Sequence, residues 1–587
     1  MFEIEQKQIE ELIISYCAKN EIPEPDLQWT VIPFSGHWGI STSFFALAAQ
    51  EARQGKKINV GQRAQEIAEG IAGSFELPAG FEKVEAVRGY LNLYFSSTDF
   101  TRRVVDTVLD QGIDFGRAPA KNEQIMVEFS QPNTHKAFHV GHLRSAILGD
   151  VLAKMLEFAG NDVIRANYPG DMGLHVIKWL WCYLNFHQGE RPEKDITRWM
   201  GDIYAEASRR IEANPDLEAE VRKLYIRWDQ REPEIVKLWE ETRQWSLDGF
   251  NQIYDLLDIR FDRYYFNSQY EQPGKIVVQE LIEKGIAIDE RPEGAVIVKI
   301  DELLGLKNEK YRVFVILRSD GTALYATEDL ALAIQKFKDY PALTRSLYVV
   351  DVRQSLHFQQ IFKTLEIAGY SWAKNCQHIP YELVNLPGNV VMSSREGSVV
   401  LLEDLIREAT QRALEVVQQK NPDLSDEQKQ SIAKAVGIGA IKYPMLARES
   451  TKIVTFDWKS ALDFNGQAAP YIQYAYVRAG SILRKANCEV PASLIPDYEL
   501  TEQEIELVDF VSRFPKEVER AAAELRTIQI ANYAYELARA FNNFYTQCPV
   551  LNVQEPVRSS RLRLVKATRQ VIGNSLVLLG ITAPEAM

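Results

Sequence analysis

The most constraining feature of this chain is a strand, a loop, a helix and a second strand in immediate succession between residues 125 and 168. The apolar run IMVEFS reads as a buried strand, SQPNTHKAFHVGH as a loop, and LRSAILGDVLAKMLEFAG as an amphipathic helix closed by Gly160. DVIRANYPGD then reads as another strand and turn. That order is one unit of a doubly wound parallel sheet, whose ligands sit beyond the carboxyl ends of the strands. Chemistry is therefore expected in the loop after the first strand.

The rest of the chain is organised around this unit. At 587 residues it exceeds one hydrophobic core, and about 150 residues per domain suggests roughly four units. Residues 1–118 read as an α+β domain, with an opening helix, the helical stretch ARQGKKINVGQRAQEIAEGIAGSF and the strand-like YLNLYF. Residues 176–260 are helical and rich in Trp and charge, as expected of an insertion between two halves of the sheet (119–175 and 261–380). The second half resumes at EGAVIVKI, continues through YRVFVILRSDGTALYATEDLALAIQKF and reaches SLYVVDV. Beyond about residue 400 strand signals disappear and helical patterns such as LLEDLIREATQRALEVVQQK dominate. The expected fold is an α/β doubly wound parallel-sheet core with an N-terminal α+β domain and a C-terminal all-α helical bundle.

Composition excludes several classes. Hydrophobic residues at 46% and charged residues at 25% are ordinary for packed cores and argue against extensive disorder. No apolar run reaches the roughly 18 residues a membrane span needs, and MFEIEQKQIEEL lacks a signal-peptide core, so a cytoplasmic protein is expected. Cys17, Cys182, Cys376, Cys488 and Cys548 form no CxxC pair, which argues against a disulfide framework, a zinc site or any protein-bound structural metal. The net charge of −14 opposes a nucleic-acid partner as a whole-chain average. Yet PVRSSRLRLVKATRQ carries Arg558, Arg561, Arg563, Lys566 and Arg569 with no acid, either a phosphate-binding face or a solvated helix surface.

Four of the eight histidines, His135, His139, His142 and His175, fall between residues 135 and 175. His139 and His142 meet where the loop enters the helix, around Gly141. Gly141 would let a nucleotide approach the backbone, and the helix N-terminus offers free N–H groups to phosphate. Imidazoles there can donate hydrogen bonds as charge develops at phosphorus. The plain alternative is two surface histidines at a helix start.

The loop FSQPNTHKAFHVGHLRSAILGD resembles the HIGH signature of class I aminoacyl-tRNA synthetases, in the extended form of the arginine-specific family. NYPGDMG, RSDGTALYATEDLA, VVMSSREGSVVLLEDL in the KMSKS position, PYIQYAYVRAGSI and FNNFYTQCPVL…LVLLGITAPEAM follow in the family's order. The resemblance spans about residues 125–587 and implies a Rossmann-type core. It further implies a KMSKS-like loop and helical stem-contact region over 381–460 and an anticodon-binding domain over 461–587. The N-terminal domain matches through position, size and closing strand, which implies a tRNA contact.

The family's arginine-binding positions fall on Glu128, Asn133, Tyr325, Asp329 and Gln354. A guanidinium presents five donors and needs buried acceptors, ideally a carboxylate. Tyr325 and Asp329, four apart, share a helix face and fit that need. Thr327 as an N-cap with acidic neighbours favouring the helix dipole is the competing explanation. Glu128 at a strand end should be costly to bury unless it faces a cation or a wet cleft. The resemblance also assigns Phe138, Gly141, Met392, Ser393 and Ser394 to ATP. The KMSKS position lacks both lysines, and Lys136 and Arg395 are the cations that could replace them.

The implied reaction is attack of the arginine carboxylate on the α-phosphorus of Mg-ATP, followed by transfer to the terminal ribose of tRNA(Arg). ATP and Mg2+ are expected, without zinc, in a monomer with no DNA or membrane partner. Positioning and charge stabilisation by His139 and His142 suffice, because the carboxylate is already anionic. Two rivals stand: a small-molecule nucleotidyltransferase, disfavoured by the helical C-terminal third, and a non-catalytic tRNA-binding relative, supported only by the altered KMSKS segment.

Overall fold

The computed structural model describes residues 3–54, 58–74, 76–386, 390–391 and 401–587. The chain forms two compact units. One comprises Met1–Phe115, Ala475–Phe514 and Glu536–Asn574, the other Gly116–Tyr474, Pro515–Tyr535 and Ser575–Met587. This division does not follow the chain order expected from separate 1–118 and 461–587 domains.

The first unit contains a four-stranded antiparallel sheet in the order Thr30–Val31, Gly39–Ser43, Tyr90–Phe95, Phe81–Val87. Leu91, Leu93 and Phe95 are buried on one face of YLNLYF, the two-residue period of a strand. Arg88 and Gly89, both at positive φ, close the last hairpin, where a turn matching the strand twist requires that conformation. Helix Val60–Ala72 begins at Asn59, whose side chain accepts the N–H groups of Gly61 and Gln62.

The second unit is built on five strands: β1 (Gln124–Glu128), β2 (Asp162–Asn167), β3 (Arg263–Tyr264), β4 (Leu343–Asp351) and β5 (Cys376–Tyr381). They pair in the order β5-β4-β1-β2-β3, every pair parallel. The strand order reverses between β1 and β4, which opens a crevice at their carboxyl ends. Helix α1 (Val140–Phe158) joins β1 to β2. It is not amphipathic as expected but buried almost all round, because it packs on β2 and β4 and also against helix Asp426–Leu446.

The segments EGAVIVKI and VFVIL are strands but do not extend the parallel sheet. Val296–Lys299 pairs antiparallel with Val313–Leu317 and with Ile288–Asp289 in a separate three-stranded sheet. Of the expected second half, SLYVVDV enters the parallel sheet, within β4. The insertion consists of α2 (Leu174–Cys182), α3 (Ile196–Ala213), α4 (Leu217–Asp229) and α5 (Pro233–Leu257), which bury Trp179, Trp181, Trp228, Trp239 and Trp245 in a shared core. Two further helices bear on the site, α6 (Tyr325–Asp339) and α7 (Ser355–Ile367). Helices dominate after residue 400, with the two-residue strand Val454–Thr455, paired to Val384–Asn385, as an exception to the expected loss of strands. Among the described residues no helix is long and apolar enough to cross a membrane.

Candidate active site

A cavity of about 730 Å³ opens at the carboxyl ends of β1 and β4, within the size range of small-molecule sites. Glu128 ends β1, Tyr348 and Asp351 lie at the end of β4, and Gly141 with both histidines enters from α1. The sheet positions these groups directly, because Glu128 and Tyr348 are in register on adjacent parallel strands.

His139 is the N-cap of α1, and its Nδ1 accepts the N–H of Gly141 at 3.1 Å. The N–H of His139 points to Nδ1 of His142 at 3.5 Å, and the two rings stack with centroids 3.8 Å apart. A ring that accepts through Nδ1 carries its proton on Nε2. Burial holds His139 at about 4, and burial with the neighbouring His139 and Lys136 keeps His142 well below the ordinary range. Both are therefore neutral near pH 7, each with an Nε2–H to donate. His135, by contrast, is a satisfied core residue whose ring nitrogens lie 2.9 and 2.8 Å from the hydroxyls of Thr134 and Thr242.

The expected acceptors line the same cavity: Glu128, Asn133, Tyr325, Asp329 and Gln354. Tyr325 begins α6 and is 68% exposed, while Asp329 one turn later sets Oδ2 2.7 Å from Nε2 of His357 on α7. Gln354 is the N-cap residue of α7. Thr327 is not the N-cap that the competing explanation required: Leu324 holds that place, and Thr327, three residues on, accepts the Leu324 N–H through its hydroxyl. Asp329, paired with His357, borders the cavity.

Three groups in or beside this pocket were not anticipated. Lys336 is fully buried, with Nζ 2.5 Å from Oε2 of Glu128 and 3.9 Å from the Tyr348 ring centroid. It supplies the cation that a buried Glu128 demands. His357 orients Asp329. Glu328, read from sequence as a helix-dipole residue, is buried, accepts from Nδ2 of Asn267, and is pushed up to about 8 by burial.

Other expected residues fall elsewhere. Phe138 is buried against His142, Phe250 and Tyr254, and Lys136 is half-buried over the Tyr204 ring at 4.9 Å; neither is among the described residues lining the cavity. Met392, Ser393, Ser394 and Arg395 lie outside the described residues. Leu401 pairs with His139 in an antiparallel bridge.

The basic segment must be corrected. Arg561 is buried and donates to both carboxylate oxygens of Glu504 and to the carbonyl of Pro549. Arg563, 2% exposed, pairs with Asp106. Arg558 is half-buried and donates to the carbonyl of Ala486. Buried, internally paired guanidiniums cannot also meet solvent-side phosphates, so Arg561 and Arg563 are neither a phosphate-binding face nor a solvated surface. Lys566 remains exposed.

Comparison with known proteins identifies the family. Residues 104–458 match the catalytic domain described as tRNA synthetases class I (R), and residues 472–587 match the DALR anticodon binding domain. The arginine–tRNA ligase of Clostridium perfringens is 39% identical over 86% of this chain and 88% of its own length. That of Clostridium botulinum strain Okra is 36% identical over 86% and 88%. The arginyl-tRNA synthetase structure from Thermus thermophilus superposes with a TM-score of 0.76 at 28% identity, covering 99% of this chain and 100% of that one. With a catalytic-domain match over more than half its length and relatives of this identity over most of it, the chain belongs to the arginine-specific family of class I tRNA synthetases.

Proposed function

We propose that this chain activates L-arginine with ATP, giving arginyl-adenylate and pyrophosphate, and then esterifies the arginyl group to the 3′ end of tRNA(Arg). One observation carries the reading: a single cavity joins two neutral N–H-donating imidazoles at a helix N-terminus to a wall of acceptors containing Tyr325, Asp329 and Glu128. Asp329 and Tyr325 take the guanidinium, with His357 holding the Asp329 carboxylate in place. Glu128, Asn133 and Gln354 face the amino and carboxylate end of the amino acid. The substrate carboxylate attacks the α-phosphorus of ATP, taken as its Mg2+ complex, and no enzyme nucleophile is needed. His139 and His142 donate from Nε2 to the oxygens that gain charge, beside Gly141 and the free N–H groups of α1.

The remaining assignments rest on the family resemblance. Met392, Ser393 and Ser394 serve ATP, and Lys136 and Arg395 are the cations that neutralise its phosphates. Residues 119–175 and 261–380 form the catalytic halves, 381–460 the stem-contact region, 461–587 the anticodon-binding domain with Lys566 among its phosphate contacts, and 1–118 a further tRNA contact. The enzyme works as a cytoplasmic monomer. A pocket that sets a carboxylate against guanidinium rejects apolar amino acids by leaving that charge unpaired, so no editing domain is required.

Arginine-dependent ATP–pyrophosphate exchange, run with and without tRNA(Arg), tests the reading. Exchange specific to arginine and dependent on tRNA is expected. Exchange with another amino acid, or none with tRNA present, would overturn it.

A further inference from the structure

One cluster outside the cavity brings metal-ligating atoms together without serving the proposed reaction. Cys182 ends α2, His187 ends the π-turn Tyr183–His187 that follows, and Glu206 lies on α3. A sulfur, an imidazole nitrogen and a carboxylate oxygen from these three lie within 4.8 Å of one another. Residues five apart on an α-helix point about 140° away from each other. A π-turn has a longer repeat, so positions i and i+5 come round to the same side. The backbone leaves α geometry where doing so lets Cys182 and His187 converge.

His187 is also held from behind. Its Nδ1 is 2.8 Å from Oε2 of Glu190, while its Nε2 faces Oε2 of Glu206 at 2.9 Å. A carboxylate on one ring nitrogen with the other turned inward is how metal-binding histidines have tautomer and orientation fixed. Arg210 occupies Oε1 of Glu206 and leaves Oε2 to the cluster. His187 and Glu206 are partly open to solvent, at 21% and 26%, which provides an entry path to the buried Cys182.

We propose that Cys182, His187 and Glu206 bind a zinc-type divalent cation, with Glu190 as the partner that orients His187 and water as the fourth ligand. The donor set selects the metal: a thiolate with an imidazole suits Zn2+ and disfavours Mg2+ or Ca2+, which take oxygen. The ion fastens the end of α2 to α3 and has no part in adenylation. A thiol ligates as its thiolate, so the Cys182 proton leaves to solvent as the Zn–S bond forms. This departs from the expectation of no protein-bound metal, which rested on ligand spacing. Spacing fails here because the third ligand arrives from a separate helix.

The test uses full-length protein stripped with a chelator and titrated with Co2+, then with Zn2+. One equivalent of cobalt should give a thiolate-to-cobalt charge-transfer band and tetrahedral d–d bands, both removed by zinc. Cys182→Ser should abolish the charge-transfer band. His187→Gln, at a partly exposed position, should weaken binding in protein whose circular dichroism stays native. Glu190→Gln should keep the spectrum with affinity reduced roughly 10- to 100-fold. No bands in natively folded wild type, or a charge-transfer band that survives Cys182→Ser, would overturn the proposal and leave His187 as an imidazolium shared by two carboxylates. Pyrophosphate exchange plays no part in the readout, so this outcome is separate from the fate of the proposed function.

Discussion

Two charged regions stand out in the sequence, the acidic start of α6 and the basic helix Val557–Leu578, and they meet opposite fates. On the basic helix Arg561 and Arg563 are consumed by Glu504 and Asp106 in closed internal pairs. On α6 Asp329 also has a partner, His357, but it borders a cavity and its neighbour Tyr325 stays exposed. Glu128 and Lys336 share this character: a buried pair with one member at the cavity wall. Pairing alone does not separate a structural charge from a recognising one. A void beside the pair does.

The contrast is sharpest at Asp329. Asp329→Asn removes the charge proposed to balance a guanidinium, at a cost of about 3–5 kcal/mol, or roughly 10²- to 10⁴-fold in kcat/KM for arginine by pyrophosphate exchange. An arginine KM within about threefold of wild type would break the comparison. Arg563→Ala should instead act on folding, lowering stability by about 3 kcal/mol because a buried pair loses one member. A lower urea midpoint is expected, and an unchanged midpoint with weakened tRNA binding would return Arg563 to a recognition role.

His139 sharpens the comparison from another side, since burial rather than a partner fixes its charge. Its folded pKa of about 4 lies below the ordinary 6.5, so the neutral ring's contribution is complete above pH 6.5 and is lost as pH falls through 4. The loss reaches at most about 3 kcal/mol. His139→Asn should flatten the fall in urea midpoint between those pH values, and an equal fall in both proteins would refute it. The smallest effect belongs to Lys566→Ala. Stability should move by less than about 0.5 kcal/mol, while the salt slope of tRNA binding drops by about one counterion. A slope unchanged within error would remove Lys566 from the interface.

The site was legible where local pattern and chemistry coincide. IMVEFS, the loop and the HVGH corner are set by short-range signals, and the structure puts them at a strand's carboxyl end. Long-range pairing was not legible. EGAVIVKI reads correctly as a strand, yet alternation cannot name its partner, and it pairs antiparallel outside the main sheet. In α1 Arg144, Ser145 and Asp150 mimic a solvent face but are buried, with internal partners that include the carbonyls of Leu383 and Val349 and the Lys154 ammonium. Lys336 left a usable trace, since it follows Tyr325 by eleven positions, about three helical turns, and so returns to the same face of α6. Cys182, His187 and Glu206 left none, for their meeting depends on a π-turn and a second helix.

The Nδ1 contacts of His139 and His142 have one further consequence. With Nδ1 facing backbone N–H groups and burial keeping the rings uncharged, the two imidazoles behave as fixed dipoles rather than as proton carriers. The field they would set at a phosphorus atom in the proposed reaction is then written into the backbone of the first helical turn. It should hold constant across the neutral range, whatever the buffer, and change only when that turn is bent.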